Sequence, residues 1–355
     1  MKALIAMSGG VDSSVAALLV KQRDFKCIGC TMKLYENEDA MVTSEKTCCS
    51  LDDVADARSV ANRLQMPYYV FNFTGDFKQK VIHKFIDCYE RGLTPNPCID
   101  CNRYMKFDKL YARAQILGCD YIVTGHYARI EKMGDQYYLK KAVDESKDQS
   151  YVLYHLTAEQ LAHTLFPLGE LTKTAVREIA REHGFVTADK RESQDICFVP
   201  NGDYAAVIEH HTGKKYPCGN FVDKDGKVLG QHRGIIHYTV GQRKGLAVSA
   251  DHRLYVRAIC PADNTVCLCD RDDLLQKEAT AVEFHWINGV PQTSKFHCHV
   301  KIRYNQKEQP ATVKVCSDDK IKITFDEPQR AVTPGQAAVL YQGDIVLGGG
   351  ILIQG

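Results

Sequence analysis

The feature that most constrains the fold is an alternation of apolar runs and amphipathic segments in the N-terminal half of the chain. Apolar runs of strand length lie at Lys2–Met7, Lys26–Leu34, Pro67–Phe73 and Asp120–Thr124. Helical patterns lie at Ser13–Gln22, Leu51–Gln65 with Ser50 as its cap, Phe77–Arg91 and Tyr104–Leu117. Strands that alternate with helices predict an α/β fold with a mostly parallel sheet. Ligands of such sheets bind beyond the C-terminal ends of the strands.

The pattern changes after Tyr216, where glycines and prolines separate short segments. Turn signals at Asp225-Gly226 and Pro334-Gly335 flank β-branched runs such as Thr312–Val315 and Lys320–Phe325. We therefore predict two small, mainly-β modules after the α/β domain, the last one a β-barrel. The expected domains are residues 1–205, 206–275 and 276–355, with the second boundary near Leu275.

Composition narrows the class of protein. Apolar residues make up 45% and charged residues 25% of the 355 residues, as in soluble globular proteins. No stretch approaches the ~20 apolar residues of a membrane span, and the N-terminal apolar run is too short for a signal peptide, so we expect a cytoplasmic protein without membrane contact. The net charge is only +1, so a polyanion would need a local patch. Such a patch lies at residues 231–260, where Asp251 is the one acid against Arg233, Arg243, Lys244, Arg253 and Arg257.

A glycine-rich loop follows the first predicted strand. The segment Ser8-Gly9-Gly10-Val11-Asp12-Ser13-Ser14 leads directly into a predicted helix. Glycines let successive N–H groups point to one centre, and a helix N-terminus adds partial positive charge, so the loop can bind an anion. It is not a Walker loop, because the Gly-Lys-Ser/Thr ending is absent. A Ser- or Asp-capped helix after a glycine turn is the alternative.

The chain has 15 cysteines, and a few of them are candidates for chemistry. Without a secretion signal a disulfide framework is not expected, and Cys27, Cys30, Cys88 and Cys119 fit core positions. Cys98-Ile99-Asp100-Cys101 follows a proline-rich loop at a predicted helix start, where the helix dipole should lower the pKa of Cys101 against the opposing charge of Asp100. The pair indicates redox, metal or nucleophile chemistry, and Cys197 is a third candidate.

The loop and several later segments together carry a family resemblance. Ser-Gly-Gly-x-Asp-Ser after the first strand resembles the PP-loop ATP pyrophosphatases, which cleave ATP between the α- and β-phosphates. The ordered set of segments is similar to the bacterial tRNA 2-thiouridylases. The segments are residues 8–14, Met32-Lys33, Thr94–Phe107, Thr124–Arg129, Lys147–Tyr151, Phe166–Lys173, Cys197-Phe198, Tyr238–Gly245 and Arg303-Tyr304.

The resemblance implies a Rossmann-like PP-loop catalytic domain and ATP-dependent 2-thiolation of the wobble uridine of tRNA. ATP would adenylate the C2 oxygen, and Cys197 would carry sulfur as a persulfide from a sulfur-donor protein. Cys101 would attack that persulfide, leaving a Cys101–Cys197 disulfide, or help to deliver sulfide. AMP and pyrophosphate would be released. Mg²⁺ would lie near Asp12, bound mainly through phosphates and water.

The same resemblance implies two sets of binding residues. The ATP-binding residues would be Ala6, Met7, Ser8, Gly9, Gly10, Val11, Asp12, Ser13, Met32 and Gly125. The tRNA-binding residues would be Asn96, Pro97, Cys98, His126, Lys147, Asp148, Gln149, Arg303, Tyr304 and Gln336.

One departure from the family keeps an alternative open. Many members have Asp at the position of Cys98, so Cys98, Cys101 and Cys197 could together hold a [4Fe-4S] cluster with one open iron. Three further readings also remain. They are a PP-loop ligase or amidotransferase acting on a small molecule, a non-enzymatic iron–sulfur or redox RNA-binding protein, and a thiolase of another tRNA position.

Overall fold

The computed structural model describes residues 1–39, 51–190, 196–199 and 202–353, so the predicted cap Ser50 lies outside the described residues. The chain divides into two compact units. The first comprises Met1–Val81, Cys98–Gly202 and Asp344–Val346, and the second comprises Ile82–Pro97, Asp203–Gly343 and Leu347–Gly355. The predicted domain bounds of 1–205, 206–275 and 276–355 stay a prediction.

The first unit is built on a five-stranded sheet that is parallel throughout. Its strands are β1 (Lys2–Ala6), β2 (Lys26–Lys33), β3 (Tyr68–Asn72), β4 (Tyr121–Val123) and β7 (Thr164–Leu165). Their order is β3-β2-β1-β4-β7, which confirms the predicted parallel α/β sheet. The chain runs outward from β1 on one side and returns to β4 on the other. The loops after β1 and β4 therefore flank the crevice where such sheets bind ligands.

The four predicted helices are found in the predicted order, together with further short helices among the described residues, and three of the four begin earlier than predicted. Their bounds are α1 (Val11–Lys21), α2 (Leu51–Arg63), α3 (Thr74–Phe77), α4 (His83–Glu90), α5 (Pro97–Asp100), α6 (Tyr111–Ile116), α7 (Ala158–Ala162), α8 (Lys173–Glu182) and α9 (Tyr204–Thr212). Wider π-helical turns join α3 to α4 at Lys78–Ile82 and α5 to α6 at Cys101–Leu110. The helix predicted at Tyr104 thus starts at Pro97, because proline is well suited to a first helical position.

Small residues let the helices pack closely on the first sheet. Ala16 and Ala17 of α1 are fully buried, and they share one core cluster with Ile5 of β1 and Ala180 of α8. The close packing of α1 against α8 brings the start of α8 next to the start of α1. Cys27, Cys30, Cys88 and Cys119 are buried, which confirms their prediction as core thiols.

A hairpin of β5 (Arg129–Met133) and β6 (Gln136–Lys140) completes the first unit. Lys140 of this hairpin pairs with Ile345. Arg129 also donates a hydrogen bond to the carboxylate of Asp344 over 2.8 Å. These contacts explain why Asp344–Val346 belongs to the first unit.

The second unit is mainly β, as predicted. A four-stranded sheet has the order β10-β11-β8-β9, from β8 (Gly219–Val222), β9 (Val228–His232), β10 (Tyr255–Cys260) and β11 (Thr265–Cys269). Six strands then close into a barrel in the order β12-β15-β14-β13-β16-β17, with β12 paired to β17. They are β12 (Leu275–Trp286), β13 (Lys295–Lys301), β14 (Gln309–Ser317), β15 (Lys320–Arg330), β16 (Ala337–Gln342) and β17 (Ile345–Ile353).

Aromatic stacking holds α4 and the loop after it in the second unit. Tyr89 of α4 stacks on Tyr204 of α9 and Phe85 packs against the same ring at a tilt, with ring centroids 6.0 Å apart in both pairs. The amide of Thr94 donates to the carbonyl of Pro334 over 2.9 Å.

None of the described helices is long and apolar enough to cross a membrane.

Candidate nucleotide and thiol site

The loop between β1 and α1 has the geometry of an anion site. The Ser8 amide donates to Ser13 Oγ over 3.1 Å, and Ser13 Oγ donates to the Gly10 carbonyl over 3.1 Å. Gly9 has φ +72°, and a Cβ there would lie 2.3 Å from the Asp53 carbonyl, so only glycine fits. No described side chain caps α1, which disagrees with the capped-helix alternative. The first N–H groups of α1 are thus available to an anion.

The loop after β4 meets the loop after β1. A Cβ on Gly125 would lie 2.8 Å from both the Asp12 carbonyl carbon and the Ser13 nitrogen. This close approach needs glycine and brings two separately predicted ATP-site segments together. Met32 lies near the end of the adjacent strand β2, half-buried, and Ala6 and Met7 end β1. The structure therefore places the expected ATP residues along one edge of the sheet.

Asp12 is paired with Lys173, the last residue of the matching segment Phe166–Lys173, for which the sequence predicted no role. Both carboxylate oxygens of Asp12 accept hydrogen bonds from Lys173 Nζ over 2.8 Å. The hydroxyl of Tyr127 also donates to Asp12 over 2.8 Å. Lys173 is buried at the first position of α8, so the packing of α8 on α1 brings this ammonium to the loop.

A second lysine, which no local pattern in the sequence identifies, also contacts the loop. Lys190 Nζ donates to the Gly9 carbonyl over 3.1 Å and to carboxylates of Asp53 and Asp56 over 2.6 Å each. Burial lowers the pKa of Lys190, but its hydrogen bonds to Asp53 and Asp56 outweigh this, and the net pKa lies above the ordinary value. Lys190 therefore carries its charge at neutral pH.

The expected low pKa of Cys101 is wrong. Burial raises the pKa of this thiol to about 11; the Lys106 charge lowers it, while Cys98 and Asp100 raise it further. The helix dipole does not act as expected, because the helix begins at Pro97, a full turn earlier. A π-helix repeats its face after about five residues rather than four, so it brings Lys106 onto the side of Cys101.

His126 is buried, although the resemblance had placed it against tRNA. Its Nδ1 lies 2.7 Å from Thr124 Oγ1, and its Nε2 lies 3.2 Å from Lys106 Nζ. Burial lowers the pKa of His126 well below its ordinary value, and Lys106 and His155 lower it further. An ammonium can only donate, so the neutral ring accepts at Nε2 and orients Lys106. Its ring does not face solvent in this structure.

The other two candidate thiols also lie in the first unit. Cys98 is exposed and Cys197 is half-buried, and like Cys101 they are thiols rather than disulfides. Tyr35 donates a hydrogen bond to the carbonyl of Cys197 over 2.8 Å, and Phe198 packs on Phe77. Within the described part of the chain no three His, Cys, Asp or Glu side chains are grouped as a metal would need. The arrangement of these thiols thus does not fit an iron–sulfur cluster, and we derive no step through iron.

The remaining predicted RNA contacts of the first unit have internal partners. Asp148 is buried and accepts hydrogen bonds from the Ala142 amide and from the amide and hydroxyl of Ser150. Gln149 Oε1 accepts from the Tyr127 amide over 3.0 Å. Lys147 is half-buried. These contacts hold the segment before Tyr151 against the loop that carries Tyr127.

In the second unit, some of the residues predicted to contact RNA are engaged in internal hydrogen bonds, and others differ in how far they are exposed. The Arg303 guanidinium donates to the Val240 and Ala331 carbonyls and to the Thr333 hydroxyl, so it ties three segments together. Gln336 Nε2 donates to the Thr94 carbonyl over 2.7 Å. Tyr304 is 37% exposed. Asn96 is half-buried and Pro97 is buried. Of this set, Tyr304 is thus the side chain best placed to stack on a base or sugar.

The basic segment at residues 231–260 is exposed as an RNA-binding patch requires. Its five cationic side chains all face solvent: Arg233, Arg243, Lys244, Arg253 and Arg257. Arg243, His252 and Arg253 line an open cavity of about 360 Å³. The pKa of His252 is raised by its hydrogen bond to Asp251 and by the charge of Asp270.

Replacing Lys106 by methionine is expected to slow alkylation of Cys101 by about 3- to 10-fold between about pH 8 and 9. Loss of the ammonium raises the thiol pKa further above 11, so less thiolate is present at a given pH. Iodoacetamide labelling followed by peptide mass spectrometry measures the rate. The matched control is Lys109→Met, which changes a lysine of the same π-helical segment and removes its ion pair with Asp76 of α3. Equal alkylation rates for Lys106→Met and wild type would contradict the inference that the Lys106 charge lowers the pKa of Cys101.

Comparison with known proteins finds three family matches in chain order. Residues 1–201 match a family described as tRNA methyl transferase HUP domain. Residues 205–270 match tRNA methyl transferase PRC-barrel domain, and residues 276–352 match Aminomethyltransferase beta-barrel domain. Together the three matches span almost the entire chain.

Relatives of full length share about half of the residues. A protein of Clostridioides difficile (strain 630), named tRNA-specific 2-thiouridylase MnmA, is 51% identical over 353 residues, covering 99% of this chain and 98% of its own. A protein of Carboxydothermus hydrogenoformans with the same name is 49% identical over 99% of this chain and 97% of its own. Among solved structures, a 4-thiouridine synthetase–RNA complex with bound ATP aligns with a TM-score of 0.38 and 20% identity, covering 56% of this chain and 45% of that one.

Proposed function

The chain belongs to the tRNA-specific 2-thiouridylases, and from this premise we propose that it uses ATP to thiolate C2 of the wobble uridine of tRNA. The observation that carries the proposal is that the phosphate loop and the two candidate cysteines belong to the same compact unit. An open phosphate loop at the sheet edge lies in the same unit as Cys101 and Cys197. As parts of the proposal, the reaction takes place in the cytoplasm and the chain is organised as domains 1–205, 206–275 and 276–355.

The phosphate loop holds ATP in this proposal. The amides of the loop and the first turn of α1 donate to phosphate oxygens, while Gly125 and Met32 border the nucleoside. Both Asp12 oxygens already accept from Lys173, so the residues present fit Mg²⁺ held by phosphates and water rather than bound directly by Asp12. When bound, Mg²⁺ would offset the charge of the departing pyrophosphate.

The chemistry then proceeds in two displacements. The uridine C2 oxygen attacks the α-phosphorus, and pyrophosphate leaves with the electron pair of the broken P–O bond. The terminal sulfur of a Cys197 persulfide adds at C2, and AMP leaves with the electron pair of the broken C–O bond. This joins C2 to Cys197 through two sulfurs.

Cys101 releases the product. Its thiolate attacks Cys197 Sγ, the S–S bond breaks, and its electron pair goes to the sulfur on C2, giving 2-thiouridine and a Cys101–Cys197 disulfide. The Cα atoms of the two cysteines must approach within about 7 Å for this step. Lys106 supports it by favouring the thiolate of Cys101. An external dithiol then reduces the disulfide, and a sulfur-donor protein reloads Cys197.

The basic segment at residues 231–260 holds the tRNA backbone in this proposal. Replacing Arg243 and Lys244 by alanine together is expected to weaken tRNA binding equally for cognate and non-cognate tRNA. Each lost phosphate contact lowers the slope of log affinity against log salt by about 1. Filter binding at several salt concentrations measures both effects. The control is Arg91→Ala, which removes an exposed cation already paired with Asp87. An unchanged slope would exclude this segment from the RNA contact.

The test of the proposed function is reconstitution with ATP, Mg²⁺, a sulfide or persulfide donor and unmodified tRNA. The expected result is 2-thiouridine at the wobble position by nucleoside mass spectrometry, with one AMP and one pyrophosphate per product. AMP without RNA and without thionucleoside would instead indicate a small-molecule ligase. Thiolation elsewhere in tRNA would overturn the wobble assignment.

The same assay tests the iron–sulfur alternative at Cys98, Cys101 and Cys197. Protein purified and assayed without oxygen is expected to carry only trace iron and to be as active as aerobic protein under a reductant. Stoichiometric iron and sulfide with activity confined to anaerobic conditions would replace the persulfide route by a cluster route. Binding of tRNA that is indifferent to Ser8 and Asp12 substitution, without thiolation, would favour the non-enzymatic RNA-binding reading.

A further inference from the structure

We propose that Lys190 is a positioning residue for the phosphate loop: by holding the Gly9 carbonyl and lying between Asp53 and Asp56, its ammonium makes the loop accept the triphosphate of ATP. The inference rests on the proposed function, in which this loop binds ATP. It assigns a role to a residue that lies outside the loop and outside the segments that carry the family resemblance.

The first part of the argument is the direction of a peptide bond. Lys190 Nζ lies 3.1 Å from the Gly9 carbonyl oxygen. The carbonyl of Gly9 and the N–H of Gly10 belong to one planar trans peptide and point in opposite directions. Holding the carbonyl toward Lys190 thus keeps the Gly10 N–H directed away from it. Gly9 has φ +72°, a freely adopted glycine conformation, so the loop itself sets this direction weakly.

The second part is the local charge. Asp53 is buried and Asp56 is half-buried near the start of α2, and the Asp53 backbone packs directly under Gly9. With Asp12, three carboxylates border a loop that has to receive a polyanion. Lys173 forms an ion pair with Asp12, and Lys190 forms ion pairs with Asp53 and Asp56. Without Lys190 the carboxylates of α2 would oppose the triphosphate.

The third part separates a positioning role from direct contact with ATP. An ammonium has three N–H donors. Among the described residues, Lys190 has three acceptors within reach, which are the Gly9 carbonyl, Asp53 and Asp56. All three donors are thereby engaged by the protein, so Lys190 acts through the loop and through the neutralised carboxylates.

The test compares ATP affinity and turnover in Lys190→Met, Lys190→Arg and the triple variant Lys190→Met/Asp53→Asn/Asp56→Asn. Lys190→Met is expected to weaken equilibrium binding of ATP–Mg²⁺ and raise the KM for ATP by about 10- to 100-fold. At saturating ATP its kcat for AMP release should stay within about 3-fold of wild type. The triple variant should regain about 10-fold in KM over Lys190→Met, because the opposing carboxylates are gone. Lys190→Arg should lie near wild type.

Several outcomes would overturn the inference. A wild-type KM in Lys190→Met would show that the ammonium is dispensable, and a triple variant as defective as Lys190→Met would indicate direct contact with phosphate. Arg181→Met, which removes a cation of α8 from an exposed ion pair with Asp189, is the matched control and should leave the KM unchanged. If Lys190→Met does not fold, the KM values for ATP of the triple variant and of Lys190→Arg are compared with that of wild type. A triple variant with a KM raised by about 100-fold or more would still overturn the inference.

The failure of this inference is distinguishable from that of the proposed function. ATP binding is measured without tRNA, so it does not depend on thiolation. A wild-type protein that binds ATP but makes no 2-thiouridine would overturn the proposed function while the Lys190 comparison still applies. A protein that makes 2-thiouridine with a wild-type KM in Lys190→Met would overturn only the role of Lys190.

Discussion

In a single-turnover assay without external thiol, Cys101→Ser is expected to reduce formation of 2-thiouridine by about 1000-fold or more, with ATP and tRNA binding within about 2-fold of wild type. A serine hydroxyl cannot attack the Cys197 sulfur and break the S–S bond of the adduct. The thiol is half-buried and keeps its proton at neutral pH, so its removal alters no charge that ATP or RNA would meet. The loss should therefore appear in turnover and not in binding.

The two cysteines should fail at different steps, which allows a sharper test. In Cys101→Ser, sulfur-35 from a donor should still load onto Cys197, and a covalent protein–tRNA species should accumulate and be released by dithiothreitol. In Cys197→Ser, neither label nor adduct should form, while AMP release should persist at a reduced rate. Cys218→Ser, which changes an exposed thiol of the second unit, is the control and should behave as wild type. Full activity of Cys101→Ser or Cys197→Ser would refute the role of that residue.

Asp12→Asn is expected to lower AMP and pyrophosphate formation by about 100-fold or more. The substitution keeps the shape of the side chain and an acceptor for Tyr127, but it removes the charge that holds Lys173. Lys173 is buried, so the loss of its carboxylate partner displaces the ammonium and disturbs the phosphate loop. Asp12→Asn would also remove a carboxylate from the neighbourhood of Mg²⁺ held by the phosphates.

A product assay with labelled ATP measures this effect, and thermal unfolding shows whether the fold is retained. Tyr127→Phe removes only one donor to Asp12 and keeps the Lys173 pair, so a smaller loss of about 3- to 10-fold is expected. Asp189→Asn, at an exposed ion pair, should have no effect on AMP formation. Normal AMP release by Asp12→Asn would remove Asp12 from the mechanism.

Local patterns in the sequence were sufficient to predict most of the fold. The apolar runs at β1, β2, β3 and β4 and the helical spacing between them encode their own secondary structure, because each depends on neighbours a few positions away. The sheet is parallel because helices separate its strands, and the second unit is β because turn residues interrupt β-branched runs. The start of the helix at Pro97 was missed because its first turns widen into a π-helix.

Some features of the candidate site could likewise be predicted from the sequence, and others could not. The loop Ser8–Ser14 and the thiols were predicted from residue types and spacing within short segments, and Gly125 was predicted from the family resemblance. The partners of Lys190 were not, because Gly9 lies 181 positions and Asp53 137 positions away in the chain. The pKa of Cys101 and the burial of His126 depend on desolvation by side chains that only folding brings near. The sequence alone therefore determined which groups are candidates for the chemistry, and the tertiary structure decided their charge, partners and exposure, since these depend on distances between remote parts of the chain.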